Sequence, residues 1–171
     1  IGQAVKNIYQ AAGAYTIGVN HVGDFGTQFG KLILAVDRWG DLEQIGQDPA
    51  RELQKLYVKF HDEAAINEQL NEEARSIFKL IEEGDQATVA KWQQIVQWSM
   101  PEYDKIYDLL DISFHDEAVP ETGVMGESAY TKEDMSQVLK ELREKKLTKL
   151  SEGAEILCLR EHNLPETVLV R

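Results

Sequence analysis

Residues 19–30 read VNHVGDFGTQFG, and they gather an Asn, a His, an Asp and a Gln with three glycines at the end of an apolar run. Side chains of this kind offer hydrogen-bond donors and acceptors to a ligand. Glycines at 23, 26 and 30 let the backbone turn tightly and let a ligand or a neighbouring segment come close to it. Asp24 or Thr27 can cap the following helix, whose first N–H groups would otherwise be unpaired. That leaves Asn20, His21 and Gln28 at a strand end and a helix start, where a substrate would lie. The same residues admit an architectural reading, in which Asp24 and Thr27 cap, the glycines turn, and His21 is a satisfied half-buried histidine. The spacing GxxGxxxG is neither the dinucleotide GxGxxG nor a phosphate-cradling P-loop, so the chemistry leaves both readings open.

The elements around this stretch are legible from periodicity. Ile1, Ala4, Val5, Ile8, Ala11 and Ala12 share one helical stripe, and Gly13 ends it. Tyr15 to Asn20 is a short β-branched and aromatic run, hence a strand. Phe29, Leu32, Ile33, Val36 and Trp39 recur at helical spacing, so a second helix opens near Thr27 and ends at Gly40. Helix, strand, glycine-bearing turn and helix make half of a wound α/β unit, in which ligands gather at the carboxyl ends of the strands.

Beyond residue 40 the chain reads as mainly helical. Pro49 after Asp48 opens a helix with Leu53, Leu56, Tyr57 and Phe60 as its buried stripe, and another helix runs from about Glu68 to Glu82. Gly84-Asp85 breaks the chain before a long striped helix carrying Trp92, Trp98, Tyr103 and Tyr107, which Pro101 should bend or divide. Those aromatics fall at helical spacing without interleaved Arg or Lys, which marks core rather than a base-stacking platform. Residues 111–130 read as loop, and Thr131 caps one more helix through Leu142. A hairpin follows, turning at Glu152-Gly153, and Thr167 to Arg171 reads as a strand. Phe60-His61-Asp62-Glu63-Ala64 recurs at 114–118, but the flanks share no pattern and ligands adjacent in sequence seldom converge on one ion, so no metal site is assigned.

Composition sets bounds. With 171 residues the chain can bury a core without disulfides or metal. The lone Cys158 reads as a small buried hydrophobe, no run approaches a membrane span, and no secretory leader is visible, which together fit a soluble protein of the reducing cytoplasm. The net charge of −12 is uneven: residues 1–40 are nearly neutral, and the remainder is an acidic body. That excludes a broad basic face for nucleic acid, since phosphate contacts need clustered Lys and Arg. The first helix has no capping residue and no Met before it, and the last strand stops without a turn. Both features predict an internal piece of a longer protein.

The string VNHVGDFGTQFGKLI resembles the segment after the HIGH signature helix of arginyl-tRNA synthetases, class I enzymes whose usual form is close to N-H/Y-V/L-G-D-W-G-T-Q-F-G. The likeness continues through Leu56-Tyr57-Val58, the Trp92 helix with Tyr103-Asp104-Lys105-Ile106-Tyr107, Gly126-Glu127-Ser128-Ala129-Tyr130, and Lys149-Leu150-Ser151-Glu152-Gly153-Ala154. The resemblance implies an α/β fold: a partial class I, Rossmann-like nucleotide-binding unit over residues 1–40, a mainly helical insertion over 41–146, and a β-hairpin with the start of a return to the catalytic fold over 147–171. It implies that the complete enzyme activates arginine with ATP and Mg²⁺ and passes it to tRNA(Arg), usually with the tRNA bound first. The HIGH and KMSK-type motifs would lie outside these residues, so no catalytic residue is expected within them and the piece alone should be inactive.

Within it the resemblance assigns Asn20, His21, Gly23, Asp24 and Gln28 to the wall and scaffold of the substrate pocket, with Gln28 facing either arginine or the terminal adenosine of the tRNA. Phe25 stands where the family generally has Trp, which keeps a stacking face and loses the indole donor, so it should pack. The exposed edges of an isolated strand invite self-association. The alternative from another class is a noncatalytic, acidic helical interaction module whose first forty residues imitate a nucleotide fold.

Overall fold

A computed structural model of the chain describes residues 1–114, 123–130, 132–159 and 163–170, with backbone alone at 123–125 and 132–134. Contacts group them into two units, Ile1–Glu127 and Ser128–Arg171. In the first unit, α1 (Gly2–Ala11) has no side-chain cap and buries none of its residues, and Gly13 (φ 86°) turns the chain away from it. Strand β1 is Val19–Val22, a later and shorter segment than the Tyr15–Asn20 run suggests. The reason is its partner. β1 pairs in parallel with β2 (Gly123–Gly126), four residues long, in the register Val19↔Gly123 to Val22↔Gly126. Strand β2 and the 3-10 turn at Glu127–Ala129 also replace part of the loop expected over 111–130. Pairing across a hundred residues, not the glycine-flanked sequence GVMG, makes that segment a strand.

Helix α2 (Thr27–Trp39) matches the periodicity, but neither Asp24 nor Thr27 caps it. Gly26 holds the N-cap position at φ 139°, ψ 173°, a region that only glycine enters readily. Further along, α3 (Leu42–Gln47) is capped by Asp41, α4 (Pro49–Ile66) by Asp48 with Pro49 in its first turn, and α6 (Gln86–Leu109) by Asp85; α5 is Gln69–Glu83. Each of these three Asp carboxylates accepts backbone N–H groups that would otherwise be unpaired. α6 runs through Pro101 as one helix, bent or straight but not divided.

The core of this unit forms around α2. Phe29, Ile33, Leu34 and Ala35 meet Leu53, Leu56, Phe60 and Ala64 of α4, Leu70, Ala74 and Ile81 of α5, Ile45 and Ile95. At Gly30 the α2 backbone lies so close to the carbonyl of Ala74 that no Cβ fits between the helices. The ion pairs Arg38–Glu73 (2.5 Å) and Asp37–Lys91 (2.7 Å) tie α2 to α5 and α6 at the rim, where solvent leaves them little energetic weight. Trp92 and Trp98 pack against the core as expected, whereas Tyr103, Ile106, Leu109 and Leu110, beyond Pro101, are exposed. His61 lies edge-on to Tyr57 and Phe60. Of the second copy of its motif only Phe114 is described; His115 and the rest fall outside the described residues, as does the expected cap Thr131.

The second unit holds α7 (Lys132–Glu144) and the antiparallel strands β3 (Thr148–Ser151), β4 (Ala154–Leu157) and β5 (Thr167–Val170) in the order β3-β4-β5. The expected hairpin is therefore part of a three-stranded sheet, with β5 added to the free edge of β4. Its turn has φ of 50° at Glu152 and 79° at Gly153, the double left-handed geometry that suits the twist of a two-residue hairpin. The buried Glu155 accepts from Arg143 Nε (2.8 Å), Arg143 Nη2 (2.5 Å) and Thr148 Oγ1 (2.9 Å), and these hydrogen bonds hold its carboxyl below the usual glutamate range. Cys158 is half-buried and forms no disulfide.

Candidate substrate-binding turn

Strand β1 runs directly into the turn, and α2 leaves it. Asp24 N–H donates to Val22 O (3.0 Å), which closes the first bend, and Gly26 then swings the chain into the helix. Gln28 folds back over that bend. Its Nε2 donates to Phe25 O at 3.1 Å, and its amide covers the Gly26 backbone. Gln28 therefore secures the turn, a role the sequence leaves open beside substrate contact.

The Asp24 carboxylate lies against the backbone of Gly126, at the end of β2, where a Cβ would collide with it. The carboxyl ends of the two parallel strands are thus brought together through residue types that permit close approach. Asn20, half-buried, donates from Nδ2 to the hydroxyl of Tyr107. His21 and Gly23 are exposed at the strand end. Gly23 differs from the other glycines of the motif: its φ lies outside the left-handed region, and an added Cβ would meet only Glu127 Oε2, at 3.9 Å. Neither backbone conformation nor crowding by the chain requires a glycine there.

Phe25 packs edge-on against Phe78 (5.0 Å between centroids) and Trp92 (5.8 Å), the packing role expected of it. The donor that an indole would add is present from another direction, since Trp92 Nε1 donates to Asp24 O at 2.7 Å. Trp92, Tyr107 and Gly126 are the residues of this site that sequence reasoning misses. A usable signal exists for one of them, because a tryptophan on a buried stripe still needs an acceptor for its N–H.

Grooves of the first unit lie elsewhere on its surface. One of about 410 Å³ follows α1 and the start of β1, lined by Lys6, Thr16, Gly18 and Ser113 among others. Lys6 Nζ donates there to Ser113 O (2.9 Å). An apolar groove of about 380 Å³ lies between α2 and α6, lined by Ile33, Val36, Leu42, Ile95 and Trp98 among others. Neither is lined by Asn20, His21, Asp24 or Gln28. Among the described residues no three of His, Cys, Asp or Glu come together as a metal site, and no helix is long and apolar enough to cross a membrane.

A parallel strand pair, a ligand-accessible turn at its carboxyl end and a helical body between the strands are features of a class I tRNA synthetase catalytic domain. The chain belongs to that family in its arginine-specific branch: the model described as tRNA synthetases class I (R), catalytic domain, matches residues 1–171. An arginine–tRNA ligase of Halothermothrix orenii is 43% identical over 169 residues, covering 99% of this chain and 28% of that protein. One of Clostridioides difficile is 42% identical over 171 residues, covering 100% of this chain and 29% of the relative. The chain thus spans less than a third of the length of the curated relatives it matches. The crystal structure of arginyl-tRNA synthetase from Plasmodium falciparum shares the fold, with a TM-score of 0.66 at 24% identity over 91% of this chain and 24% of that one. The family match includes the helices as well as the turn, which removes the support for a noncatalytic module that merely imitates the motif.

Proposed function

We propose that the full-length protein is an arginine–tRNA ligase of the cytoplasm, which activates arginine with ATP and transfers it to tRNA(Arg), and that residues 1–171 supply one wall of its substrate pocket. The observation that carries this reading is the exposed strand end at His21 and Gly23, in a chain whose whole length matches the family's catalytic domain. β1 and β2 are then two strands of a Rossmann-like sheet, residues 1–40 part of the nucleotide-binding fold, the helices that follow an insertion, and residues 147–171 the return towards the fold. In the isolated chain the edges of β1 and β2 that find no neighbour among the described residues invite self-association.

The reaction requires in-line attack of the arginine carboxylate on the α-phosphate, releasing pyrophosphate, and then attack of a terminal ribose hydroxyl of the tRNA on the activated carbonyl, releasing AMP. Alignment and charge stabilisation carry such steps, without a protein nucleophile. Gly23 leaves room for a ligand to reach the backbone, His21 and Asn20 offer hydrogen bonds beside it, and Asp24 and Gln28 hold the turn in shape. Among the described residues no cluster of carboxylates is assembled that would hold Mg²⁺ without the phosphates of ATP.

The test is tRNA charging by the purified full-length protein with ATP and each amino acid in turn. Arginine alone should be attached. Attachment of another amino acid, or of none, refutes the proposal. The 171-residue chain by itself should neither charge tRNA nor exchange pyrophosphate into ATP.

A further inference from the structure

Besides the backbone ladder with β2, two side-chain hydrogen bonds tie the motif to α6. Trp92 Nε1 donates to Asp24 O at 2.7 Å across 68 residues, and the Tyr107 hydroxyl accepts from Asn20 Nδ2 across 87. The bonds from Asp24 N to Val22 O and from Gln28 Nε2 to Phe25 O are local to the turn. Strand β1 has a single neighbour among the described residues. A four-residue strand paired on one side is a weak support for a site that must hold its shape.

The two α6 side chains are themselves held. The Tyr107 ring stacks on Tyr103 (6.4 Å, 24°) and meets Phe114 edge-on (5.1 Å), while Trp92 meets Phe25 edge-on at 5.8 Å. Their polar atoms are thereby set in place before any ligand arrives, which is the condition for holding a binding group in one geometry.

We propose that Trp92 and Tyr107 are positioning residues, through which α6 braces both ends of segment 20–24 and orients the Asn20 amide towards substrate. An Asn amide has two N–H groups and one carbonyl. Tyr107 takes one N–H and so fixes the amide plane, leaving the other N–H and the carbonyl for a ligand. Trp92 fixes the Asp24 peptide four residues on. This inference rests on the reading of the strand end as the substrate wall, and it adds that the helical body sets that wall's geometry.

The test uses the full-length protein with Trp92→Phe, Tyr107→Phe, Asn20→Ala and the double variant Asn20→Ala/Tyr107→Phe. Tyr107→Phe removes the hydroxyl alone, whereas Trp92→Phe removes the indole N–H together with part of the ring that packs on Phe25, so Tyr107→Phe is the cleaner probe. Hydrogen exchange of amides 19–26 should accelerate about fivefold or more in each, with α4 and α5 unchanged, because opening of a locally braced segment needs less than global unfolding. Arginine charging should lose roughly fivefold or more in kcat/KM in Tyr107→Phe, and at most about twofold further when the change is made in Asn20→Ala, since residues acting through one another are not additive.

Unchanged exchange in both Phe variants overturns the brace. Full multiplication of the Tyr107→Phe and Asn20→Ala effects overturns the claim that Tyr107 acts through Asn20. Should Asn20→Ala charge tRNA like the unaltered protein, the placement of Asn20 at the substrate fails, and the brace stands or falls on the exchange result alone.

Discussion

Replacing glycine by alanine inside a helix ordinarily stabilises it by about 0.5–1 kcal/mol. Gly30 and Gly46 should respond to that same change with opposite signs. Gly46 lies in α3 with nothing near the position a Cβ would take, so Gly46→Ala should gain about 0.4–1 kcal/mol. Gly30 is buried in α2, and its Cβ would drive into the carbonyl oxygen and carbon of Ala74, which belong to the backbone of α5 and cannot rotate aside. The two helices must part by about 1 Å to restore van der Waals contact, loosening Phe29, Ile33 and Ala74 together. Overpacking of this kind costs about 1–3 kcal/mol, and subtracting the helix-propensity gain leaves a net loss of up to about 2.5 kcal/mol. Urea unfolding of the 171-residue chain, followed by the fluorescence of Trp39, Trp92 and Trp98, measures both. A Gly30→Ala midpoint raised as far as that of Gly46→Ala would refute the close helix contact.

Other outcomes follow from single contacts. Gly26→Ala should cost about 1–3 kcal/mol, because its φ of 139° is strained for any side chain, and should release Gln28 from Phe25 O, seen as faster amide exchange at residues 25–29. Asp41→Ala should lose about 0.5–2 kcal/mol through the orphaned N–H groups of Glu43 and Gln44, measurable in the same urea titration. Glu155 has a folded-state pKa below its unfolded one, so its contribution is present above the ordinary value of about 4.3 and is lost as pH falls through the folded value. The melting-temperature gap between the chain and Glu155→Gln should therefore hold from neutral pH to about 5 and narrow below 4; widening on acidification would contradict the assignment. Amides of residues 1–22 should exchange faster than those around Trp92, since α1 buries nothing and β1 has one partner among the described residues.

The helices were legible because each carries its own punctuation. Asp48-Pro49 and Gly84-Asp85 mark boundaries that the structure keeps, and the stripe from Phe29 to Trp39 buries the face it predicts. The start of α2 at Thr27 was legible too, but what caps it was not. Asp24 and Thr27 are good capping types, but Asp24 is drawn to Gly126, and Gly26 takes the cap position for its backbone rather than for a side chain. Strand β2 escaped notice because pairing with β1, and not its own sequence, makes it a strand. In the same way the motif was visible as a cluster of residue types, while its supports, Trp92 and Tyr107, lie 68 and 87 residues from their partners with no spacing to betray them. The resemblance to arginyl-tRNA synthetases identified the family before any of these contacts was known, and the match over residues 1–171 bears it out.

Gly23→Ala in the full-length protein tests the central claim most directly. The chain itself gives no reason for glycine there: the nearest atom to an added methyl is Glu127 Oε2 at 3.9 Å, and the backbone is not left-handed. Folding should be untouched, with a melting temperature equal to or slightly above that of the unaltered protein. If the strand end is the wall against which substrate lies, the methyl occupies the ligand's space, and kcat/KM for arginine charging should fall about tenfold or more, equivalent to about 1.4 kcal/mol of transition-state binding. Charging at the unaltered rate, with an unaltered melting temperature, would show that no substrate approaches this turn.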